Sequence, residues 1–343
     1  MAVPLRQSLK VGAYVASQRL KRREKFPLVL QLEPLYQCNL ECAGCGKIQF
    51  PNPILHKRLS VQQCVAAVEE CGAPMVSIAG GEPLIHADID QIVRELVKRK
   101  RFVYLCTNAI LMLRKLDLFE PSPYFSWSVH IDGLRDRHDE SVCREGIFDK
   151  AVEAVQAAKA RGFRVSTNTT FFDGDTVESV RGVLDFLNDD LNVDVMQISP
   201  GFAYEKAPDQ EHFLGVENTR ALFREAFSGG RRQKWRLNHS PVFLDFLEGK
   251  VDLQCTPWGI PCYSVFGWQR PCYLMADGGY AHSYQELLDD TDWSQYGRGR
   301  HPKCANCMAH CGYEPTAVAL TAHSLRETVR AAGDALAGQF ART

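Results

Sequence analysis

The sequence predicts an α/β fold: a partial (βα)6 barrel followed by a cysteine-rich C-terminal extension. Between residues 27 and 201, short β-rich runs alternate with helical stretches, which is the pattern of βα units in a parallel sheet. The polar residues of these runs share one side-chain parity. After residue 201 the composition changes, because four of the five tryptophans and six of the 13 cysteines lie there.

Length and composition limit the class of protein. The 343 residues, 45% hydrophobic and 24% charged, suit one large globular domain with a smaller addition. Forty basic against 41 acidic side chains leave no charge surplus for binding nucleic acid. No apolar run reaches the ~18 residues of a membrane span. The first residues show no apolar signal segment, so we expect a reducing, cytoplasmic location in which clustered cysteines bind metals or iron–sulfur clusters.

Residues 1–26 form the first of three predicted parts, a basic amphipathic N-terminal helix. Seven of its side chains are basic and one is acidic. An apolar stripe at helical spacing consists of Leu5, Leu9, Ala13, Ala16 and Leu20. Two interpretations stay open: the helix packs on the domain with a solvated basic rim, or it lies on the anionic inner face of a membrane as a peripheral contact.

The second part, residues 27–201, holds the barrel, and the third, residues 202–343, is the extension. Six strands are predicted at 28–33, 75–79, 102–107, 125–131, 164–170 and 193–199. Helices are predicted at 60–71, 88–100, 111–119, 148–161 and 175–191. We expect Ser60 and Asp88 to cap the first two of these helices.

Side-chain parity predicts what the two faces of the sheet are for. Successive strand residues point to opposite faces, and here polar residues alternate with apolar ones along each strand. The polar set includes Gln31, Glu33, Ser77, Cys106, Asn108, Ser126, Ser128, His130, Asp132, Ser166 and Asn168. A closed eight-stranded barrel is filled by branched apolar residues, so a polar inner face indicates a wider, incompletely closed barrel that encloses a ligand.

Three cysteines directly after the first strand are the strongest chemical signal. Cys38, Cys42 and Cys45 have the spacing Cys-x3-Cys-x2-Cys. Such a loop can hold three irons of a [4Fe–4S] cluster and leave the fourth open to a ligand. The alternative is a zinc knuckle completed by a distant cysteine or by His56.

The second strand is followed by Gly80-Gly81-Glu82-Pro83. Together with the cysteine spacing, this sequence resembles the radical S-adenosylmethionine (SAM) superfamily. The resemblance implies that the open iron chelates SAM and that the glycine loop receives its ammonium group. It also implies SAM contacts by residues at later strand ends, namely Ser128, Asp132, Asn168 and Ile198. Gly44 stands where most members carry an aromatic residue, and His130 stands where a serine is common.

Two residues of the polar face are candidates for catalysis. Cys106 lies near the end of the third strand, and a thiol there can give a hydrogen atom to a carbon radical; packing as a small buried residue is the alternative. His130, in place of the usual serine, is expected to contact the substrate or the ribose.

The extension carries a second cysteine set, Cys272, Cys304, Cys307 and Cys311, with Cys255 and Cys262 upstream. It loosely resembles the auxiliary-cluster extensions of other radical SAM enzymes. Three interpretations stay open: a second [4Fe–4S] cluster, a tetrahedral zinc ion, or a metal-free packed module.

As a whole, the sequence is similar to the adenosylhopane synthase family of hopanoid biosynthesis, on segments such as 38–47, 199–205, 267–273 and 311–314. The resemblance implies a partial radical SAM barrel that adds the 5′-deoxyadenosyl radical to the terminal alkene of diploptene. A flavodoxin- or ferredoxin-type reductant is the expected partner, and nucleic acid is not. The alternatives are hydrogen abstraction from another lipid or a peptide, an iron–sulfur electron-transfer protein, and a zinc-dependent nucleic-acid adaptor.

Overall fold

A computed structural model describes residues 4–275 and 277–321. Its sheet has nine strands in the order β6-β5-β4-β3-β2-β1-β7-β8-β9. The first six are parallel and follow one another along the chain. Their bounds are β1 Val29–Glu33, β2 Met75–Ile78, β3 Phe102–Thr107, β4 Phe125–His130, β5 Arg164–Phe171 and β6 Val195–Pro200. Each predicted strand exists, and each end lies within two residues of its predicted position. The expected α/β class with a partial parallel barrel is thus confirmed.

Twelve α-helices are present in the described residues. They are α1 Leu5–Leu20, α2 Asn52–Leu55, α3 Val61–Cys71, α4 Ile89–Lys98, α5 Met112–Lys115, α6 Arg135–Ser141, α7 Ile147–Ala160, α8 Val177–Asp185, α9 Val216–Ala226, α10 Pro241–Leu247, α11 Tyr284–Asp289 and α12 His310–Thr321. None of the described helices is long and apolar enough to cross a lipid bilayer.

Local chemistry explains where several helices begin and end. Ser60 caps α3 in a capping box with Gln63, as expected. Asp88 precedes α4 but makes no capping hydrogen bond, because its carboxylate accepts from the side chain of Gln91 instead. The predicted helix at 111–119 is shorter, since α5 passes into a 3-10 turn at Leu116–Leu118. The one at 175–191 begins after its cap Thr176 and finishes as a π-turn, Phe186–Asp190.

The two faces of the barrel sheet differ as parity predicted. The outer face packs under the helices and is formed by fully buried apolar side chains. They include Leu30, Leu32, Val76, Ile78, Val103, Leu105, Trp127, Val129 and Val165. The inner face carries the alternating polar residues and borders a large cavity.

Helix α1 covers the N-terminal end of the barrel, but with an unexpected face. Gln7 donates to the Tyr104 hydroxyl at 2.7 Å, and Val15 and Gln18 are also buried. The predicted apolar stripe therefore does not pack on the domain; Leu5, Leu9 and Leu20 are 61%, 65% and 86% exposed. The helix begins and ends inside the predicted 1–26 segment, whose first three residues lie outside the described part.

The extension continues the same sheet. Strand β7, Cys262–Ser264, pairs in parallel with β1, and β8, Gly267–Gln269, and β9, Tyr280–Ala281, follow in antiparallel pairs. Helices α10 and α12 pack together, with Phe246 stacked on Tyr313 at a centroid distance of 4.5 Å. Residue 276 and residues 322–343 of the predicted extension lie outside the described residues.

Candidate active site

The inner face of the barrel borders a cavity of about 1110 Å³ that reaches from the cysteine loop after β1 to helix α1. The inward-facing residues of strand β3 and its C-terminal end lie along the length of this cavity. Tyr104 lies at the α1 end, Cys106 lies in the middle, and Asn108, just past the strand, lies beside the cysteine loop. Because alternate strand residues are roughly 7 Å apart, this column is about 13 Å long. The volume exceeds the roughly 300–1,000 Å³ of ordinary small-molecule pockets.

The three cysteines of the first loop line one end of this cavity. Cys38, Cys42 and Cys45 are free, half-buried thiols, and the first two pack against the apolar cluster of Leu40. Burial raises the pKa of all three thiols, that of Cys38 to about 11. A thiol that resists ionisation in a buried site is stabilised as a thiolate by a bound cation or cluster. The loop thus places the three cysteines of the motif on the wall of one cavity.

The glycines after β2 are explained by the close approach of two loops. A Cβ atom on Gly80 would lie 2.2 Å from the Leu35 carbonyl oxygen, and one on Gly81 would lie 2.1 Å from that of Gln37. Gly80 also has a φ of 102°, which favours glycine. Backbone hydrogen bonds from Gly81 and Glu82 join this loop to the cysteine loop at 3.0 and 2.9 Å. The two predicted motifs are therefore joined by backbone hydrogen bonds and packed tightly together.

Glu82 fastens this unit to the end of β3. Its carboxylate is almost fully buried and accepts from the Asn108 amide at 2.8 Å, the Leu84 amide at 2.9 Å and the Thr107 hydroxyl at 3.0 Å. Burial raises the pKa of Glu82 to about 7, against these hydrogen bonds. Both oxygens already have partners within the protein, so Glu82 positions the loop as well as lining the cavity.

Two histidines and an aspartate form a network at the end of β4. His130 Nε2 lies 2.7 Å from an Asp132 oxygen, and the other Asp132 oxygen accepts from the Thr170 amide at 2.8 Å. Burial would lower the pKa of His130, but Asp132 outweighs it and raises that pKa. The Asp132 amide donates to His138 Nδ1 at 3.2 Å, and burial, with nearby His130, lowers the pKa of His138 to about 4. His138 was not singled out from the sequence, because no motif spacing marks it.

Cys106 lies on the cavity wall between two serines. Its sulfur is 3.5 Å from the Ser77 hydroxyl, and Ser128 is its direct partner in the neighbouring strand. Burial raises the pKa of Cys106, with the serine hydrogen bonds opposing. The sulfur therefore keeps its hydrogen at neutral pH, and the Cys106 side chain lines the cavity.

Lys47 is a site residue that the sequence analysis missed. Its ammonium lies 3.0 Å from the Glu33 carboxylate and donates to the Tyr273 carbonyl at 3.0 Å. Burial would lower the pKa of Lys47, but Glu33 outweighs it and raises that pKa. This buried pair joins the cysteine loop to β1 and to the extension. Lysine in a loop ordinarily indicates a solvated surface, so only its place two residues after Cys45 could have marked it.

The structure brings most predicted SAM residues to the cavity and leaves two aside. Gly80, Gly81, Glu82, Ser128, Asp132 and Asn168 line it. Ile198 is fully buried with the opposite parity, and its amide donates to His239 at 3.0 Å, so the β6 residue that faces the cavity is Gln197. Pro83 is buried at the start of a 3-10 turn and does not line the cavity. The predicted SAM contacts of Ile198 and Pro83 stay predictions.

The space beside Gly44, where an aromatic side chain is usual, is already filled. A Cβ atom on Gly44 would lie 3.0 Å from the ring of Phe172 and 3.7 Å from that of Phe213. Both rings line the cavity. Residues after β5 and before α9 thus supply the aromatic surface that the cysteine loop lacks.

The cysteines of the second set lie close together in the extension. Cys272, Cys304, Cys307 and Cys311 share one apolar cluster. Cys255 also joins them, since its sulfur would lie 2.5 Å from a Cβ atom on Gly312. Burial raises the pKa of these thiols, and neighbouring cysteines of the set add to the shift for Cys255 and Cys311. Within residues 4–275 and 277–321, no group of three or more His, Cys, Asp or Glu side chains is arranged to hold a metal ion, either in this set or in the first cysteine loop.

Comparison with known proteins agrees with this geometry. The sequence profile of the radical SAM superfamily matches residues 32–187, and a domain of unknown function, DUF3463, matches residues 196–331. The GTP 3′,8-cyclase of Listeria welshimeri is 26% identical over 172 residues, 48% of this chain and 52% of that protein. The GTP 3′,8-cyclase of Clostridium perfringens strain SM101 is 23% identical over 234 residues, 63% and 68% of the two chains. The chain thus spans about half the length of the first of these relatives.

Solved structures share the fold. Streptococcus suis SuiB bound to its precursor peptide SuiA superposes with a TM-score of 0.67 at 16% identity, covering 88% of this chain and 74% of SuiB. A structure of anSMEcpe with bound SAM superposes with a TM-score of 0.60 at 15% identity, covering 92% and 97% of the two chains. The profile match over residues 32–187 agrees with the cavity, which is lined by three thiols and by the glycine loop. Residues 32–187 of this chain are similar to the radical SAM superfamily, whose members use a [4Fe–4S] cluster and SAM.

Proposed function

We propose that this chain joins the 5′-deoxyadenosyl group of SAM to the terminal alkene of diploptene, a C30 triterpene, and so forms adenosylhopane. The segments that resemble the adenosylhopane synthase family name the reaction. The observation that carries the proposal is the cavity, which is larger than SAM needs and becomes apolar toward α1. Its lining there includes Val11, Val15, Met75 and Ile260.

The polar end of the cavity suits the cofactors. Cys38, Cys42 and Cys45 would hold the cluster, and the backbone of Gly80 and Gly81 would receive the ammonium of SAM. When bound, the cluster and SAM supply a 5′-deoxyadenosyl radical. Asp132 holds the imidazole of His130 at 2.7 Å, and His130 would contact the ribose or the substrate. Asn168 is the direct strand partner of His130 and extends the same row of polar groups.

Cys106 would complete the reaction. Addition to the unsubstituted alkene carbon leaves a tertiary carbon radical on the substrate. Cys106 donates its hydrogen atom: the S–H bond breaks, a C–H bond forms, and a sulfur radical stays on the cysteine. One electron from a flavodoxin- or ferredoxin-type reductant and one proton from solvent restore the thiol. The raised pKa of Cys106 supports this role, because a thiolate has no hydrogen atom to give.

The test is product analysis under anaerobic conditions. The reconstituted full chain, diploptene, SAM and dithionite should yield a covalent adenosyl adduct by mass spectrometry. In D₂O the adduct should gain one carbon-bound deuterium, since the Cys106 hydrogen exchanges with solvent. Free 5′-deoxyadenosine beside unchanged diploptene would contradict the proposal and favour hydrogen abstraction from another substrate. SuiB, which has been solved with a peptide, makes a peptide the alternative to test first. Failure to cleave SAM would favour an electron-transfer protein.

We also propose that Cys272, Cys304, Cys307 and Cys311 hold a second [4Fe–4S] cluster. Their shared burial supports this, and Cys255 is a candidate replacement for one ligand. A variant in which Cys38, Cys42 and Cys45 are all alanine should retain about four irons. Complete loss of iron would favour the metal-free module.

A further inference from the structure

Helix α1 presents its apolar side to solvent and its polar side to the protein. Gln7 and Gln18 are buried, with 7% and 6% exposure, whereas Leu5, Leu9 and Leu20 are 61%, 65% and 86% exposed. Ala13 and Ala16 lie on the same outer stripe and are exposed too. These three leucines are the most exposed large apolar side chains among the described residues. Such a stripe of apolar residues indicates an interaction surface.

The buried side of α1 explains this orientation. Gln7 exchanges two hydrogen bonds with the Tyr104 hydroxyl, at 2.7 and 3.0 Å, and its amide also lies 3.3 Å from the Met75 sulfur. The tyrosine hydroxyl at the end of the barrel therefore has a partner only when this face turns inward. Turning the leucines inward would leave Gln7 and Tyr104 unpaired.

The outer stripe borders an opening of the catalytic cavity. Leu5, Leu9 and Ala16 line the cavity on one side, and Val318 of α12 lines it on the other. The Arg19 guanidinium donates to the Ala319 carbonyl at 2.7 Å and joins the two helices. This opening lies at the end of the barrel opposite the cysteine loop, where Val11, Val15 and Met75 line the cavity beside the paired Gln7 and Tyr104.

Cations surround the stripe. Burial lowers the pKa of Lys10, and the nearby cations Arg101 and Lys100 lower it further. Lys21, Arg22 and Lys25 are exposed directly after Leu20. Clustered cations beside an apolar helix face are complementary to an anionic lipid surface. They also oppose pairing with a second copy of this chain, which would bring two such clusters together.

We propose that the outer face of α1 inserts into the interface of an anionic membrane and that the opening between α1 and α12 receives the apolar substrate directly from the lipid. This inference rests on the proposed function for the identity of the substrate. The lipid-binding surface consists of Leu5, Leu9, Ala13, Ala16 and Leu20 with the neighbouring cations Lys10, Lys21, Arg22, Lys25 and Lys100.

Vesicle binding of the full chain, without SAM or diploptene, tests the surface. We expect binding to vesicles of equal parts phosphatidylglycerol and phosphatidylcholine, and much weaker binding to phosphatidylcholine alone. Leu9→Asp/Leu20→Asp should lower the partition at least about tenfold, because two side chains leave the apolar layer. Lys21→Glu/Arg22→Glu/Lys25→Glu should lower it about 100-fold. The matched control is Leu118→Asp/Leu134→Asp, on leucines that are 48% and 45% exposed elsewhere, and it should bind as the wild type does.

Several outcomes would overturn the inference. Binding by Leu9→Asp/Leu20→Asp equal to the wild type would remove the stripe from the surface. A wild-type dimer in light scattering that this pair of substitutions dissociates would assign the face to a second copy. Vesicle binding by a chain cut after Thr321, with none by the full chain, would assign it to the C-terminal segment.

The surface and the chemistry can fail separately. Vesicle binding without any adenosyl adduct would remove the proposed reaction and leave the surface. Adduct formation from detergent-dispersed diploptene, by a chain that binds no vesicles, would remove the lipid-binding surface and leave the proposed reaction. If both hold, turnover should be faster with diploptene in anionic vesicles than in neutral ones.

Discussion

The contact between the glycine loop and the cysteine loop can be tested by one methyl group. In Gly81→Ala, the new Cβ atom would lie 2.1 Å from the Gln37 carbonyl oxygen and 2.5 Å from that of Tyr36. A carbon–oxygen contact needs about 3.3 Å, so the two loops must separate by about 1 Å. Both opposing atoms belong to the backbone, so no side-chain rotation relieves the contact.

The cost follows from what that separation breaks. The backbone hydrogen bonds from Gly81 to Leu35 and from Glu82 to Gln37, at 3.0 and 2.9 Å, would be lost. Each contributes about 1 kcal/mol, and overpacking adds about 1–3 kcal/mol. We therefore expect Gly81→Ala to lower the free energy of unfolding by about 3–5 kcal/mol and to weaken SAM binding.

Urea unfolding of the apoprotein, together with calorimetric titration of the reconstituted protein with SAM, measures both effects. Gly182→Ala is the matched control, because Gly182 lies inside α8 and its Cβ atom would be 3.7 Å from the nearest atom. That variant should gain about 0.5–1 kcal/mol from higher helix propensity. A Gly81→Ala protein within about 0.5 kcal/mol of the wild type would refute the reasoning.

Three further predictions concern the same site. Because burial raises the pKa of Glu82 from 4.5 to about 7, its contribution to stability is present below pH 4.5 and lost as the pH rises through 7. In urea unfolding of the two apoproteins between pH 4.5 and 7, the free energy of unfolding of Glu82→Gln should therefore rise by about 3 kcal/mol relative to the wild type. A difference between the two proteins that does not change with pH would contradict this. Cys106→Ala should still cleave SAM, but its yield of the saturated adduct should fall at least about tenfold. The control Cys64→Ala, in a helix, should keep the wild-type yield. Equal product profiles for the two variants would exclude the hydrogen-donor role. Cys45→Ala should abolish SAM cleavage while exposed Cys143→Ala retains it, as nucleoside chromatography would show, and cleavage by the first variant would contradict the cluster assignment.

Periodicity predicted the strands well, because their signal is local. Each barrel strand alternates polar and apolar residues, and the apolar ones, such as Val76 and Ile78, are buried as expected. The position of Cys106 on the cavity wall followed from parity alone.

Long-range contacts could not be predicted. The orientation of α1 depends on Gln7 meeting Tyr104, 97 residues away, and outweighs the usual burial of an apolar stripe. Lys47 meets Tyr273, 226 residues away. Pairs at such separations leave no periodic trace in a single sequence.

The pairing of β7 with β1 has a consequence for dissecting this protein. Strand β1, which leads into the cysteine loop, is an interior strand only because the extension supplies β7. A fragment limited to residues 27–201 would expose the hydrogen-bonding edge of its own first strand. Such an edge invites aggregation, so chimaeras that exchange the extension need a replacement strand at that position.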